Sequence, residues 1–132
     1  MHDNSILYTK MDRIIDAMNN YDIMDYNDNC GDELMKRTII MLNIKKINNS
    51  WKKSTLYLSS PDLKNDKRYL KVKTFLLNGE LIKPPTIDLK DNGDIKFEDG
   101  RHRFSILRDL GYLEIPFIVY EEEKDQLIEN FR

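Results

Sequence analysis

The stretch from Ile95 to Tyr120, IKFEDGRHRFSILRDLGYLEIPFIVY, constrains the fold more than any other. Ile95 and Phe97 alternate with Lys96 and Glu98, the period of a strand with one buried face. Asp99-Gly100 then turns the chain, Asp99 offering a side-chain acceptor for uncapped amides and Gly100 a backbone without a Cβ. A helix is expected over residues 101–110, ended by Gly111 in a left-handed C′ position with Pro116 soon after. On a helical wheel Phe104, Ile106, Leu107 and Leu110 form one broad apolar face, and Arg101, Ser105, Arg108 and Asp109 lie opposite. Arg103 falls inside the apolar arc.

An arginine that points coreward needs an anion, because an unpaired buried guanidinium is costly. Two kinds of partner meet that need: a fixed carboxylate, from Asp99, Glu98 or Glu80, or a bound ligand. The context supplies the parts of a phosphate site. A helix N-terminus presents unbonded N–H groups and the positive end of a dipole, and here Arg101, His102 and Arg103 follow Gly100 on that turn.

Strand, Asp99-Gly100-Arg101-His102-Arg103, helix ending in Leu110-Gly111, then Ile115-Pro116 and a hydrophobic strand: this resembles the core of the ParB/sulfiredoxin-like superfamily. The resemblance covers about half the chain, from Thr55 to Tyr120, and its second half is the specific part. It implies a domain that binds nucleotide phosphates at this turn, with Gly100, Arg101, His102 and Arg103 as the cradle. Asp99 and His102 are then the candidate catalytic groups, and the cofactor is a nucleoside di- or triphosphate with Mg²⁺. Sulfiredoxins carry Gly-Cys-His-Arg here, so Arg101 stands in place of the catalytic cysteine and sulfinic-acid reduction is excluded. ParB-type proteins place an arginine-rich box here and bind CTP, and a group of free-serine kinases carries an Asp-Gly-x-His-Arg version.

With 132 residues one domain is expected, and 40% hydrophobic with 33% charged residues is the balance of a soluble globular protein. No apolar run reaches the length of a membrane span, and the start MHDNSILYTKMD lacks the pattern of a secretory signal, so a cytoplasmic location is expected. Cys30 is the one cysteine and His2 and His102 are the two histidines, so neither an internal disulfide nor a zinc cluster is expected. The wealth of Asn, Ile, Lys and Asp fits an AT-rich coding genome, viral or from a low-GC microbe. A net charge of −2 hides an uneven distribution, with eight acidic and two basic residues in 1–33 but nine basic and two acidic in 45–73.

In chain order, Leu7, Met11, Ile14, Ile15 and Met18 mark an amphipathic helix over 5–18. Residues 19–31 read as an acidic loop; Asp25, Asn27 and Asn29 start an EF-hand register that fails at Cys30 and Lys36. Helical spacing of Leu34, Met35, Ile39, Leu42 and Ile47 predicts a second helix over about 33–47, capped by Asp32. Trp51 reads as an aromatic plug rather than a base-stacking platform. Thr55–Leu58 reads as a strand. Ser60-Pro61-Asp62 starts a helix that Asn78-Gly79 stops, with Leu63, Tyr69, Leu70, Leu76 and Leu77 toward the sheet. A strand at Thr86–Leu89 and the turn Asp91–Asp94 lead into strand 95–98.

The expected architecture is therefore α+β: a small mixed sheet with packed helices, ordered β-α-β-β-α-β over 54–120. An N-terminal helical pair within 1–50 precedes it, and an acidic tail over 121–132 follows. The function this favours is nucleotide or phosphate binding, extending to phosphoryl transfer. Asp99 is the candidate acid, base or metal-bridging carboxylate, with Glu80 and Glu98 as helpers; the acceptor-side carboxylate is not identified by pattern, although Asp62 sits at the strand-to-helix junction. Two alternatives stand beside it. One is a nucleic-acid-binding or nuclease-like module using the 45–73 basic block, against which stand the net acidity and the lack of a helix-turn-helix after the core. The other is a non-catalytic interaction protein in which the motif is an ion-pair network.

Overall fold

A computed structural model describes residues 4–23, 36–60, 66–79 and 82–132. In chain order these form α1 (Asn4–Asn19), β1 (Arg37–Asn43), α2 (Ile44–Trp51), α3 (Lys67–Leu77), β2 (Thr86–Leu89) and β3 (Ile95–Asp99). They continue as α4 (Arg101–Asp109), β4 (Glu114–Tyr120), a 3₁₀ turn (Glu121–Glu123) and α5 (Lys124–Phe131). The fold is α+β with a four-stranded mixed sheet of order β1-β4-β2-β3. β1 runs antiparallel to β4 and β2 antiparallel to β3, while β2 runs parallel to β4, in register at Thr86 and Ile118.

β4 is the central strand and is buried at every position from Ile115 to Val119, so both faces of the sheet are covered there. On one face Trp51, Phe97, Phe104 and Phe117 form a continuous aromatic cluster, with ring centroids 4.6 Å apart for Trp51–Phe97, 4.9 Å for Phe97–Phe104 and 6.0 Å for Phe104–Phe117. Trp51 is 1% exposed, a plug as its sequence setting suggested. Each such ring contributes about 1.5–3 kcal/mol by leaving water, so this cluster fixes α4 on the sheet.

The helix expected over 33–47 differs from the structure, where 37–43 is the edge strand β1. Thr38, Ile39 and Ile40 are β-branched neighbours, and their stiff side chains favour a pleated surface over the helical spacing that Ile39, Leu42 and Ile47 imitate. Helix begins only at Ile44, where the Asn43 carboxamide accepts from the Lys46 amide at 3.0 Å. The N-terminal region thus contributes to the sheet itself rather than standing outside it as two helices.

The strand expected at Thr55–Leu58 is instead a turn. Ser54 folds it locally, its hydroxyl accepting from the Leu56 amide and its carbonyl from the Tyr57 amide. α3 starts at Lys67 with Asp66 as N-cap, accepting from the Tyr69 amide at 2.9 Å. Tyr69 and Leu76 face the core as expected, but Leu70 is 48% exposed. The C-terminal segment is not frayed: Leu127 and Phe131 of α5 are buried in the main core. Pro61, Asp62, Leu63, Glu80, Cys30 and the failed calcium register at 25–29 lie outside the described residues.

The bounds of α4 match expectation, with a glycine at each end. Gly100 precedes it at φ +87°, and Gly111 closes it at φ +94°. The amide of Gly111 donates to the Arg108 carbonyl and that of Tyr112 to the Leu107 carbonyl. These two bonds are a complete Schellman motif.

Candidate functional site

The residues singled out by sequence converge. Gly100, Arg101, His102 and Arg103 line a cleft of about 240 Å³ at the start of α4. The opposite wall is Arg68 and Val72 of α3, and Glu98 and Asp99 of β3 complete it. Arg68 lies in the first turn of α3, 33 residues before the motif. Its approach to the motif is a tertiary event, and no local signal announces it.

A β-bulge explains why two consecutive acids share one cleft. Thr86 pairs with Asp99 and Ile87 with Phe97, so Glu98 is the extra residue on β3. Without the bulge, alternation would send Asp99 to the core face beside Ile95 and Phe97. With it, Phe97 stays buried and both carboxylates face outward. Regular alternation of Ile95 and Phe97 gave no hint of this.

Asp99 does not cap the helix, as its position had suggested. Gly100 is the N-cap and no side chain caps α4. Helix geometry leaves the first amides of α4 without intrahelical acceptors, and they open at the cleft. Asp99 instead pairs with two cations, its Oδ2 lying 3.2 Å from both Lys83 Nζ and Arg103 Nη2. Burial pushes the Asp99 carboxyl upward, but Arg103 and Lys83 outweigh it and hold the group below its ordinary range.

Arg103 points coreward as its position on the helical wheel required, its side chain 14% exposed. The fixed-carboxylate partner is thus present, and it is Asp99. That pairing uses one end of the guanidinium only: Arg103 Nε is buried with no hydrogen-bond partner among the described residues. The group packs against Gly100, where a Cβ would sit 2.8 Å from Nη2 and 2.9 Å from Pro85 Cα.

Arg101 reaches the 54–58 turn, donating from Nη1 to the Leu56 carbonyl at 3.3 Å. His102 is half-buried. Burial lowers its pKa from the ordinary 6.5, Arg68 adds to this, Asp66 opposes it and Arg101 lowers it further. The imidazole is therefore neutral at pH 7. Three guanidinium groups face two carboxylates in the cleft, leaving an excess of one positive charge before the helix dipole is added.

Glu98 is held by strands on the far side of β2. Tyr120 donates its hydroxyl to Oε1 at 2.9 Å, and Arg37 donates from Nη2 to Oε2 at 3.2 Å. Arg37 also donates to the Tyr120 hydroxyl at 2.9 Å and lies 4.0 Å over its ring.

A second network sits at the other end of α4, on the arc opposite the apolar face. The side chains of Arg108 and Asp109 are only 10% and 18% exposed and are paired at 2.9 Å. Arg108 donates to the Leu58 carbonyl at 2.7 Å and to Asn48 at 3.1 Å. Asp109 accepts from Ser60 at 2.6 Å and from Tyr69 at 2.9 Å. These bonds tie α4 to α2, to the 57–60 segment and to α3.

Among the described residues no group of three or more His, Cys, Asp or Glu could hold a metal ion. No described helix is long and apolar enough to cross a membrane. Within the basic block Lys53 is paired with Asp94 at 3.2 Å, while Lys45, Lys46, Lys52, Lys67 and Lys71 are exposed. No protein-family model matches the chain, and no curated protein matches it.

Proposed function

We propose that the cleft binds the phosphates of a nucleotide and that the protein is a ParB/sulfiredoxin-like domain acting in phosphoryl transfer. One observation carries this reading: the uncapped N-terminus of α4 opens into a cleft lined by guanidinium groups from two helices, Arg101 and Arg103 of α4 and Arg68 of α3. Backbone amides, a helix dipole and planar forked donors are the chemistry that recognises phosphate oxygens. Their concentration on one side stabilises charge that builds on a transferring phosphoryl group. His102, neutral at pH 7, donates or accepts one further hydrogen bond there.

The half-exposed carboxylate of Asp99 fits a Mg²⁺ ion that arrives with the nucleotide, since Mg²⁺ takes one or two carboxylates plus phosphate oxygens and keeps its remaining waters. Such an ion would offset charge on the phosphates.

The test is a set of thermal melts of wild type and Arg103→Ala with ATP, ADP, CTP and GTP plus Mg²⁺. Wild type is expected to gain stability with at least one nucleotide. Arg103→Ala is expected to bind about 1.5–3 kcal/mol more weakly, the worth of a charge-assisted hydrogen bond. Because Lys83 remains beside Asp99, the ligand-free loss in the variant should stay below the roughly 3–5 kcal/mol of a fully orphaned buried partner. No ligand shift in wild type, with a large ligand-free loss in the variant, would make the motif architecture only. Steeply salt-dependent retention on DNA would favour the nucleic-acid reading instead.

A further inference from the structure

Away from the cleft, two surfaces of the molecule match each other in spacing and in charge. We propose that one copy of this chain docks the outer ridge of α3 into an acidic groove beside α1 of a second copy. This contact is independent of the nucleotide reading above.

The groove is open, about 730 Å³ in volume, and is built from α1, β1 and the connection between α4 and β4. Ile15, Met41 and Tyr112 give it an apolar lining, and Asp12, Asp16 and Glu114 add three carboxylates with no cation among the described lining residues. None of these three carboxylates forms an ion pair among the described residues. Leu113 belongs to the same lining and is 81% exposed. A lone exposed leucine is ordinary, but one that shares a groove with other apolar side chains extends a contact surface.

The ridge lies on α3. Lys67, Leu70, Lys71 and Thr74 recur at i, i+3, i+4 and i+7 and all four are exposed, so they form one outward stripe. Leu70, 48% exposed, stands between the two lysines. Tyr69 and Leu76 hold the other side of the helix in the core, so the ridge is carried on a fixed element.

Asp12 and Asp16 are four residues apart on α1, as Lys67 and Lys71 are on α3, a rise of about 6 Å along either helix. Laid together, two lysines meet two carboxylates while Leu70 covers the lining formed by Ile15, Met41 and Tyr112. This is how a helix with an apolar face and charged edges fills a groove. The ion pairs steer the encounter and fix its register, and burial of leucine supplies the larger part of the attraction. Ridge on ridge or groove on groove would set like charges together, so neither competes. Ridge and groove are different surfaces, and the contact is therefore heterologous.

The experiment is sedimentation velocity on the full chain over a range of protein and salt concentrations, with melting points for every variant. Wild type is expected to gain mass above the monomer as its concentration rises, and to do so less at high salt. A groove variant, Asp12→Lys with Asp16→Lys, and a ridge variant, Lys67→Glu with Lys71→Glu, should each stay monomeric alone, because each sets like charges against its own unaltered surface. Mixed together they should associate again, since the first keeps the native ridge and the second the native groove. Leu70→Ser and Leu113→Ser remove only exposed side chains, so they keep the test open should a charge-reversed variant fail to fold, and each should weaken self-association at least about tenfold, which is 1.4 kcal/mol. Wild type that remains monomeric throughout overturns the proposal, and binding of a fluorescent helical peptide of lysine and leucine would then assign the groove to a different basic protein. Association that survives in the folded charge variants or in both serine variants overturns it too, as does a mixture of the folded charge variants that stays monomeric.

Discussion

Replacing Gly100 by alanine tests how closely the cleft is built around one missing Cβ. Two costs add. At φ +87° an L-residue sits in the left-handed region, which costs about 1–2 kcal/mol. The new Cβ would also lie 2.9 Å from Pro85 Cα and 2.8 Å from Arg103 Nη2. The arginine tip can swing away, but Pro85 is backbone just before β2, and its carbonyl accepts from the Ile118 amide at 2.9 Å. Forcing that contact apart is overpacking, worth about 1–3 kcal/mol. The expected total is about 2–5 kcal/mol, a large share of a small domain's stability. Gly111→Ala is the control, since Gly111 has φ +94° and nothing within 4 Å of its Cβ position. It should lose only the backbone part, about 1–2 kcal/mol. Urea unfolding of the two variants beside wild type measures the difference directly. Equal losses, or a loss under about 1 kcal/mol at Gly100, would refute the claim that the turn is packed against Pro85.

Three more outcomes are expected. Asp109→Ala removes the partner of a guanidinium only 10% exposed and should destabilise the fold by about 3 kcal/mol, against about 1 kcal/mol for Tyr69→Phe, both read by denaturant melts. Sulfate keeps its charge across the neutral range, so its affinity should rise as pH falls below 6.5 and His102 gains a proton, and His102→Ala should flatten that rise in calorimetric titrations. The Glu123 carboxyl is pushed up to about 8 by burial and by Asp88; a folded value above the ordinary 4.5 means that its stabilisation is complete below that pH and is lost as pH climbs through about 8. Melting points of wild type should therefore fall relative to Glu123→Gln on going from about pH 5 to about pH 9, and parallel profiles would contradict this.

What was legible in the sequence was what local chemistry dictates. β3, the Gly100 turn, α4 and its Gly111 stop follow from alternation, one glycine at each end and a narrow polar arc, all within a few residues of each other. β1 was misread because Ile39, Leu42 and Ile47 happen to fall at helical spacing, while the β-branched run Thr38-Ile39-Ile40 and the Asn43 cap gave the competing signal. The cleft was half legible. Its floor lies in one motif, but Arg68 arrives from a different helix and Glu98 is aimed by a bulge. Partners of that kind are set by packing between elements, and no window of sequence contains them.

The two ends of α4 have a joint consequence. Its first turn carries the cleft floor, and its last turn, through Asp109, holds Tyr69, the residue next to Arg68 on the opposite wall. A nine-residue helix thus acts as a calliper that sets the gap between floor and wall. One inserted residue would lengthen it by about 1.5 Å and rotate one end against the other by about 100°. Either Arg103 or Asp109 would then leave its partners. Any change of its length therefore dismantles the cleft, and a library that varies the cleft should hold the count of residues between Gly100 and Gly111 constant.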